Sequence, residues 1–341
     1  MYSSGREDVG ELSDRRQQTR TRINTLREKL SEADKIASGK ACVYATGSFG
    51  RQEASSHSDL DLFIVSKMGN EKDSDGKFQP VLKRLDDIRI KADLIEVTRE
   101  LNIPEFSGDG RYLVHYPVEQ LTDTLGKPDD DALNTFTARL LLLLESHPLL
   151  GEVVYKEIID DVIASYWKDF ADHKNDFVPA FLTNDILRLW RTFCVNYEAN
   201  TSSEPTNENA KRKSKNYKLK HSRLLTCYSA LLYLLAIFGR KDTVTPDDVV
   251  QMTQLTPTER LEWLLAQTDF EGAHNALRTL LEQYEAFLTT TNIPEAELIK
   301  KFLDKNASRE YMKRANAFGE SVFEALTAIG KGSRLHRLLV V

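Results

Sequence analysis

The chain is poor in sulfur, with three cysteines and four methionines among 341 residues. Cys42, Cys194 and Cys227 are far apart, odd in number and set among apolar neighbours. Such cysteines exclude a disulfide framework and a zinc-ligand spacing, and predict reduced core thiols in a cytoplasmic protein. No uninterrupted apolar run approaches the roughly 20 residues of a membrane-crossing helix, so no membrane partner is expected. Residues 1–8 lack the apolar core of a signal peptide. Basic charge is not in excess: 46 Lys and Arg face 52 Asp and Glu, a net charge of −6, which argues against broad coating of nucleic acid. The seven histidines are scattered and form no triad with serine or cysteine. There is no His-Asp doublet, no Arg/His ribonuclease motif and no internal repeat.

What is present is chemistry on strands. Residues 58–65 are an apolar run with two acids set into it, Asp59 and Asp61. Strand side chains alternate, so both carboxylates point to one face. Paired carboxylates repel, and a divalent cation between them removes that cost; Mg²⁺ is the usual choice where oxygen ligands meet a nucleotide phosphate. Upstream, Gly47-Ser48 ends another apolar run, 41–46. A Gly-Ser turn at a strand end lets backbone N–H groups and a hydroxyl approach a phosphate closely.

Gly47, Ser48, Asp59 and Asp61 together resemble the signature of the DNA polymerase β-like nucleotidyltransferases: Gly-Ser, a spacer, then Asp-x-Asp on a strand. The resemblance implies a third acid on a later strand. Asp93, within the apolar run 88–97, is the candidate, with Glu96 as competitor on the opposite strand face. The form Gly-Ser-Phe-Gly-Arg, with Arg51, is most similar to the branch of uridylyltransferases that modify nitrogen-signalling proteins. Leu-Glu-Ser at 144–146 and the helix around 184–190 resemble segments of that branch, whereas its phosphohydrolase and sensor modules have no counterpart here. The resemblance implies that Asp59, Asp61 and Asp93 bind Mg²⁺ or Mn²⁺ and that Gly47 and Ser48 hold the outer phosphates of a nucleoside triphosphate. It also suggests a lysine from a helical domain on the triphosphate, here Lys218 or Lys220.

The expected fold is α+β: a small mixed-sheet catalytic domain over 1–125, then an all-helical domain over 126–341 forming the other wall of a cleft. Ile23, Leu26 and Leu30 mark a leading helix within 10–38. Strands are expected at 41–46, 60–66 and 91–97, with an amphipathic helix through Phe78, Val81, Leu82 and Leu85 between the last two. Thr256-Pro-Thr-Glu259 is a capping box, and Thr245 opens a helix similarly. Residues 198–216, rich in Asn, Ser, Glu and Lys, read as a mobile basic loop.

Several side chains carry two readings. Arg51 can fork onto a triphosphate oxygen or tie its loop to Glu53 or Asp59. Lys218 and Lys220 can meet phosphate or form a solvated helix start. Asn184, Arg188 and Arg191 share a helix face that can line the cleft, or pair with Asp185 or a neighbouring helix. The expected reaction moves a nucleoside monophosphate from a triphosphate to a hydroxyl. A nucleotide or oligonucleotide acceptor, as in template-independent synthesis for antiviral defence or signalling, leads. A protein acceptor modified on Tyr, Ser or Thr, a tRNA-end-modifying toxin and a silent nucleotide-binding module are the alternatives. A protein partner or homo-oligomer is compatible with all of them.

Overall fold

The computed structural model describes residues 10–72, 74–76, 78–106, 110, 113–199 and 206–339. Two helices lead, α1 (Glu11–Lys29) and α2 (Ser31–Ala37), and bury Ile23, Leu26 and Ala33. Strand β1 (Ala41–Thr46) runs into a single helical turn, α3 (Gly47–Gly50). Strands β2 (Asp61–Ser66), β3 (Met68–Lys72) and β4 (Phe78–Pro80) follow, then α4 (Arg84–Glu100), β5 (His115–Pro117), α5 (Val118–Asp123), α6 (Asp129–Ala132) and α7 (Thr135–Glu145). Strand β6 (His147–Leu150) and helix α8 (Glu152–Tyr166) come next.

The main sheet has the order β5-β2-β1-β6, with β1 antiparallel to both neighbours and β2 parallel to β5. It is buried on both faces, and the alternation of β1 divides the core. Ala41, Val43 and Ala45 pack with the side of α1 and α4. Cys42 and Tyr44 pack toward α7 and α8, in the larger cluster that continues into the helical half. The sheet takes its fourth strand from β6, so the expected boundary at residue 125 does not coincide with the edge of the sheet.

The rest is helical: α9 (Ala180–Ala199), α10 (Thr206–Lys218), α11 (Leu224–Lys241), α12 (Pro246–Thr253), α13 (Pro257–Leu265), α14 (Glu271–Thr291), α15 (Glu295–Leu303), α16 (Lys305–Gly330) and α17 (Arg334–Leu338). Both capping boxes form, Thr245 with Asp248 and Thr256 with Glu259. A π-helical segment, Leu219–Arg223, joins α10 to α11. The continuous helix Glu208–Lys241 is long and apolar enough to cross a membrane, but 78% of its apolar stretch is buried inside the protein. Its interior is that of a central core helix. No uninterrupted apolar run announced it, because basic residues crowd its first half.

Three expectations are corrected. Residues 91–97 are helix and not strand, since they belong to α4. Ile90, Leu94 and Val97 are buried at helical spacing while Ile88 is 49% exposed. Alternation over so short an apolar run cannot separate the two periods, and no Gly or Pro interrupts 81–103 to limit its length. The helix expected through Phe78 and Leu85 is instead β4, paired antiparallel with β3, followed by the start of α4. The segment 198–216 is helical from Thr206 onward, packed through Ala210 and Ser214 with Glu208 and Lys215 exposed; residues 200–205 lie outside the described residues.

Candidate active site

The site is built where β1 stops. Gly47 has φ +63°, a left-handed conformation that favours glycine, and a Cβ there would sit 2.8 Å from Asp61 Oδ2. Gly50 is equally constrained: its Cβ would meet the Glu145 carbonyl oxygen at 1.9 Å. The first approach sets the Gly47-Ser48 turn against the Asp61 carboxylate, and the second sets it against the backbone end of α7. Asp61 pairs across the strands with Thr46, and Asp59 is exposed just before β2 begins.

Two chambers meet at this carboxylate pair, and Asp59, Asp61 and Arg223 line both. The first, about 230 Å³, is polar and contains Gly47, Ser48, Arg51, His57 and Lys218. The second, about 350 Å³, has Leu62, Phe63, Phe106, Leu113, Leu141 and Phe193 in its walls, with Thr46 at the end of β1.

Beneath the turn lies a buried ionic network. The side chain of Glu145, at the end of α7, is wholly buried. It accepts hydrogen bonds from the Gly47 amide at 3.1 Å, from Arg51 at 2.8 Å and from Thr226 at 2.5 Å. Arg223 donates to the oxygen that also accepts from Gly47, while Arg51 and Thr226 share the other. Burial alone would raise the Glu145 pKa, but the charges of Arg223 and Arg51 outweigh it and hold the carboxyl below the usual range. Arg51 also donates to Glu53 at 2.5 Å, and Tyr284 of α14 donates to the same carboxylate at 2.8 Å. Desolvation works against the Arg51 charge, yet Glu53 and Glu145 together hold its pKa well above the ordinary value. Arg51 is therefore spent on tying the turn down, to Glu53 and not to Asp59.

Asp61 shows the opposite balance. It reaches solvent through the cleft, yet protein encloses it on most sides. Its pKa is raised first by desolvation and then by the charge of Asp59, against the pull of Arg223 and Arg51. The two nearby guanidiniums are committed to Glu145 and Glu53, so the carboxylate pair stays under-neutralised. A pair of oxygen donors in that condition fits a divalent cation. Thr46, in register with Asp61, has its Oγ1 buried without a hydrogen-bond partner.

The other residues singled out from sequence divide. Lys218 lines the polar chamber with Gly47 and Ser48, and its ammonium makes no hydrogen bond or ion pair among the described residues. Lys220 turns away, donating to Asn316 at 3.1 Å. Arg188 pairs with Asp131 at 2.6 Å and lies over the Phe136 ring. With Asn184 and Arg191 it lines a separate surface hollow, which does not include the carboxylates. Asp93 lies on α4, outside both chambers, and no group of three or more metal-ligating side chains forms among the described residues. Glu96, on the same helix, is exposed. The site thus brings together two of the three expected acids.

Residues 23–106 match the family model of the nucleotidyltransferase domain. The chain carries a nucleotidyltransferase domain of the polymerase β-like superfamily. The match contains the Gly47 turn, Asp59 and Asp61, and stops before β5. No curated protein matches the chain.

Two site residues escaped the sequence reading. Glu145 ends a run of five leucines, and an acid with no local partner on so apolar a helix signals a buried charge with a distant counterion. Arg223 closes the basic stretch 211–223 that also holds Lys218 and Lys220, and spacing gives it no role, because only the π-helical segment turns Lys218, Ser222 and Arg223 together into the cleft.

Proposed function

We propose that this nucleotidyltransferase moves a nucleoside monophosphate from a nucleoside triphosphate to a hydroxyl, with Mg²⁺ or Mn²⁺ held by Asp59 and Asp61. The observation that carries the reading is the Gly47-Ser48 turn packed onto Asp61 with an unpaired Lys218 facing it. Bound there, the cation would offset charge on the phosphates and polarise the α-phosphorus. The Ser48 hydroxyl and Lys218 ammonium bind the β- and γ-phosphates. Glu145 fixes the turn by accepting from Gly47, and Arg223 is positioned by Glu145 at the junction of the chambers. The acceptor oxygen forms a bond to the α-phosphorus as the bond to pyrophosphate breaks.

The test is pyrophosphate release and transfer of α-labelled nucleotide, with each of the four triphosphates and either metal, by the native chain and by Asp59→Asn. Release that requires metal and disappears in a folded Asp59→Asn protein is expected. Triphosphate binding without turnover under any condition would overturn the reading in favour of a silent nucleotide-binding module.

A further inference from the structure

We propose that the apolar chamber is the acceptor subsite and that its substrate is a small, uncharged, largely apolar alcohol whose hydroxyl is oriented by Thr46. The inference rests on the nucleotidyl-transfer reading and adds the class of acceptor.

Position comes first. The polar chamber holds the turn that follows β1, the two chambers share Asp59, Asp61 and Arg223, and the apolar chamber extends from these to Phe106, Leu113, Leu141 and Phe193. In-line displacement puts the attacking oxygen opposite the departing pyrophosphate. If the outer phosphates lie against Gly47 and Ser48, the attacking oxygen enters from the apolar side.

The lining sets the chemistry. Three phenylalanines and four leucines dominate the walls, with Thr46, Asn134 and Thr137 as the neutral polar side chains among them. Arg223 is the one cation lining the chamber among the described residues, and it is already bound to Glu145. A nucleic-acid end brings a phosphate for every nucleotide and needs a basic track as well as stacking surfaces. A volume of about 350 Å³ lies within the range of small-molecule sites. The nucleotide or oligonucleotide acceptor expected from sequence is therefore the poorer fit.

Thr46 supplies the polar anchor. It is 1% exposed and lines the chamber. Its Oγ1 has no partner, although buried hydroxyls are nearly always satisfied. An acceptor O–H donating to Oγ1 satisfies it and holds the oxygen beside Asp61. On transfer, the acceptor oxygen–phosphorus bond forms, pyrophosphate leaves with the electrons of the broken bond, and the proton passes to solvent water at the exposed Asp59.

The experiment supplies 4-ethylphenol, 2-phenylethanol, glycerol, a single-stranded oligonucleotide and a tyrosine-containing peptide to the full chain with labelled triphosphate and Mg²⁺. Binding of 4-ethylphenol to the protein without nucleotide is followed separately by ligand-observed NMR. Label on the two neutral aryl alcohols is expected. Thr46→Val should lower kcat/KM for them about tenfold, the worth of one hydrogen bond, with triphosphate affinity and thermal stability unchanged. Phe106→Asp should abolish 4-ethylphenol binding. Label found only on the oligonucleotide or only on the peptide, or an unaltered acceptor kcat/KM in Thr46→Val, overturns the proposal. So does failure of 4-ethylphenol to bind. If 4-ethylphenol binds and Phe106→Asp removes it while no triphosphate is consumed, the transfer reading fails and the chamber as an acceptor subsite fails with it. The surviving result would be an apolar ligand site, told apart by the binding data.

Discussion

Neutralising Glu145 tests whether the phosphate-side turn is held electrostatically. In Glu145→Gln the shape is kept and the charge is lost. Arg51 retains Glu53 at 2.5 Å, so it stays half compensated. Arg223 loses its carboxylate partner, but its side chain is 23% exposed and can turn partly to water. Breaking a buried ion pair costs about 3–5 kcal/mol, and these two reliefs place the cost at the lower end. The new amide presents an N–H toward the donors that surrounded Glu145, adding about 1 kcal/mol. The expected destabilisation is thus about 3–4 kcal/mol, read as a lower urea midpoint at unchanged slope. Adding Arg223→Met should recover at least about 1 kcal/mol, because the orphaned charge leaves with its partner. The pH dependence has a definite sign. The folded pKa of Glu145 lies below its ordinary value, so its contribution is complete above the ordinary value of about 4.3. It is lost only as pH falls through the lower folded value, so the native–variant difference should be equal at pH 7 and pH 5.5. A loss under about 1 kcal/mol, or strictly additive single variants, would refute the network as the support of the turn.

Asp61→Asn should raise the thermal midpoint of the metal-free protein while abolishing both turnover and the Mg²⁺-induced thermal shift. The Asp61 pKa is raised in the fold, so its ionisation costs stability at every pH above that raised value, and the penalty lifts as pH falls toward the ordinary value of about 3.9. A lower midpoint in this variant would contradict the under-neutralised pair. Lys218→Gln should weaken triphosphate binding about tenfold and nucleoside binding hardly at all, whereas Lys220→Gln should change neither; titrations of both ligands check this, and equal effects of the two variants would return the basic run to a solvated face. Gly50→Ala should cost about 3 kcal/mol by urea unfolding, because the added methyl meets two carbonyl oxygens, of Glu145 and Ala45, at 1.9 and 2.8 Å, and backbone cannot rotate away as a side chain can.

Where the chemistry was local, the sequence was legible. The Gly47-Ser48 turn, Asp59 and Asp61 lie within fifteen residues, and the apolar run from 60 marks the strand that Asp61 opens, with Asp59 two residues before it. The same rule failed at Asp93. A run of apolar residues with an acid inside it fits a strand and a helix equally until its burial pattern is seen, and α4 buries Ile90, Leu94 and Val97 while leaving Asp93 outside both chambers. The strands that were missed, β3 to β6, are five residues or shorter, too brief for a period to declare itself. Glu145 and Arg223 were illegible for a different reason. Their meaning lies in contacts 98 residues apart for Glu145 with Gly47 and 78 for Glu145 with Arg223. No spacing encodes such contacts. What the chain does encode is the imbalance that demands them: an acid closing a leucine run and a base opening an apolar helix, each too costly to bury alone. Two such residues of opposite sign, each without a local partner, can be satisfied together by a single fold in which α7 and α11 meet. That meeting sets the end of α7 against the Gly47 turn, so the pairing that makes the core affordable also builds the candidate cleft.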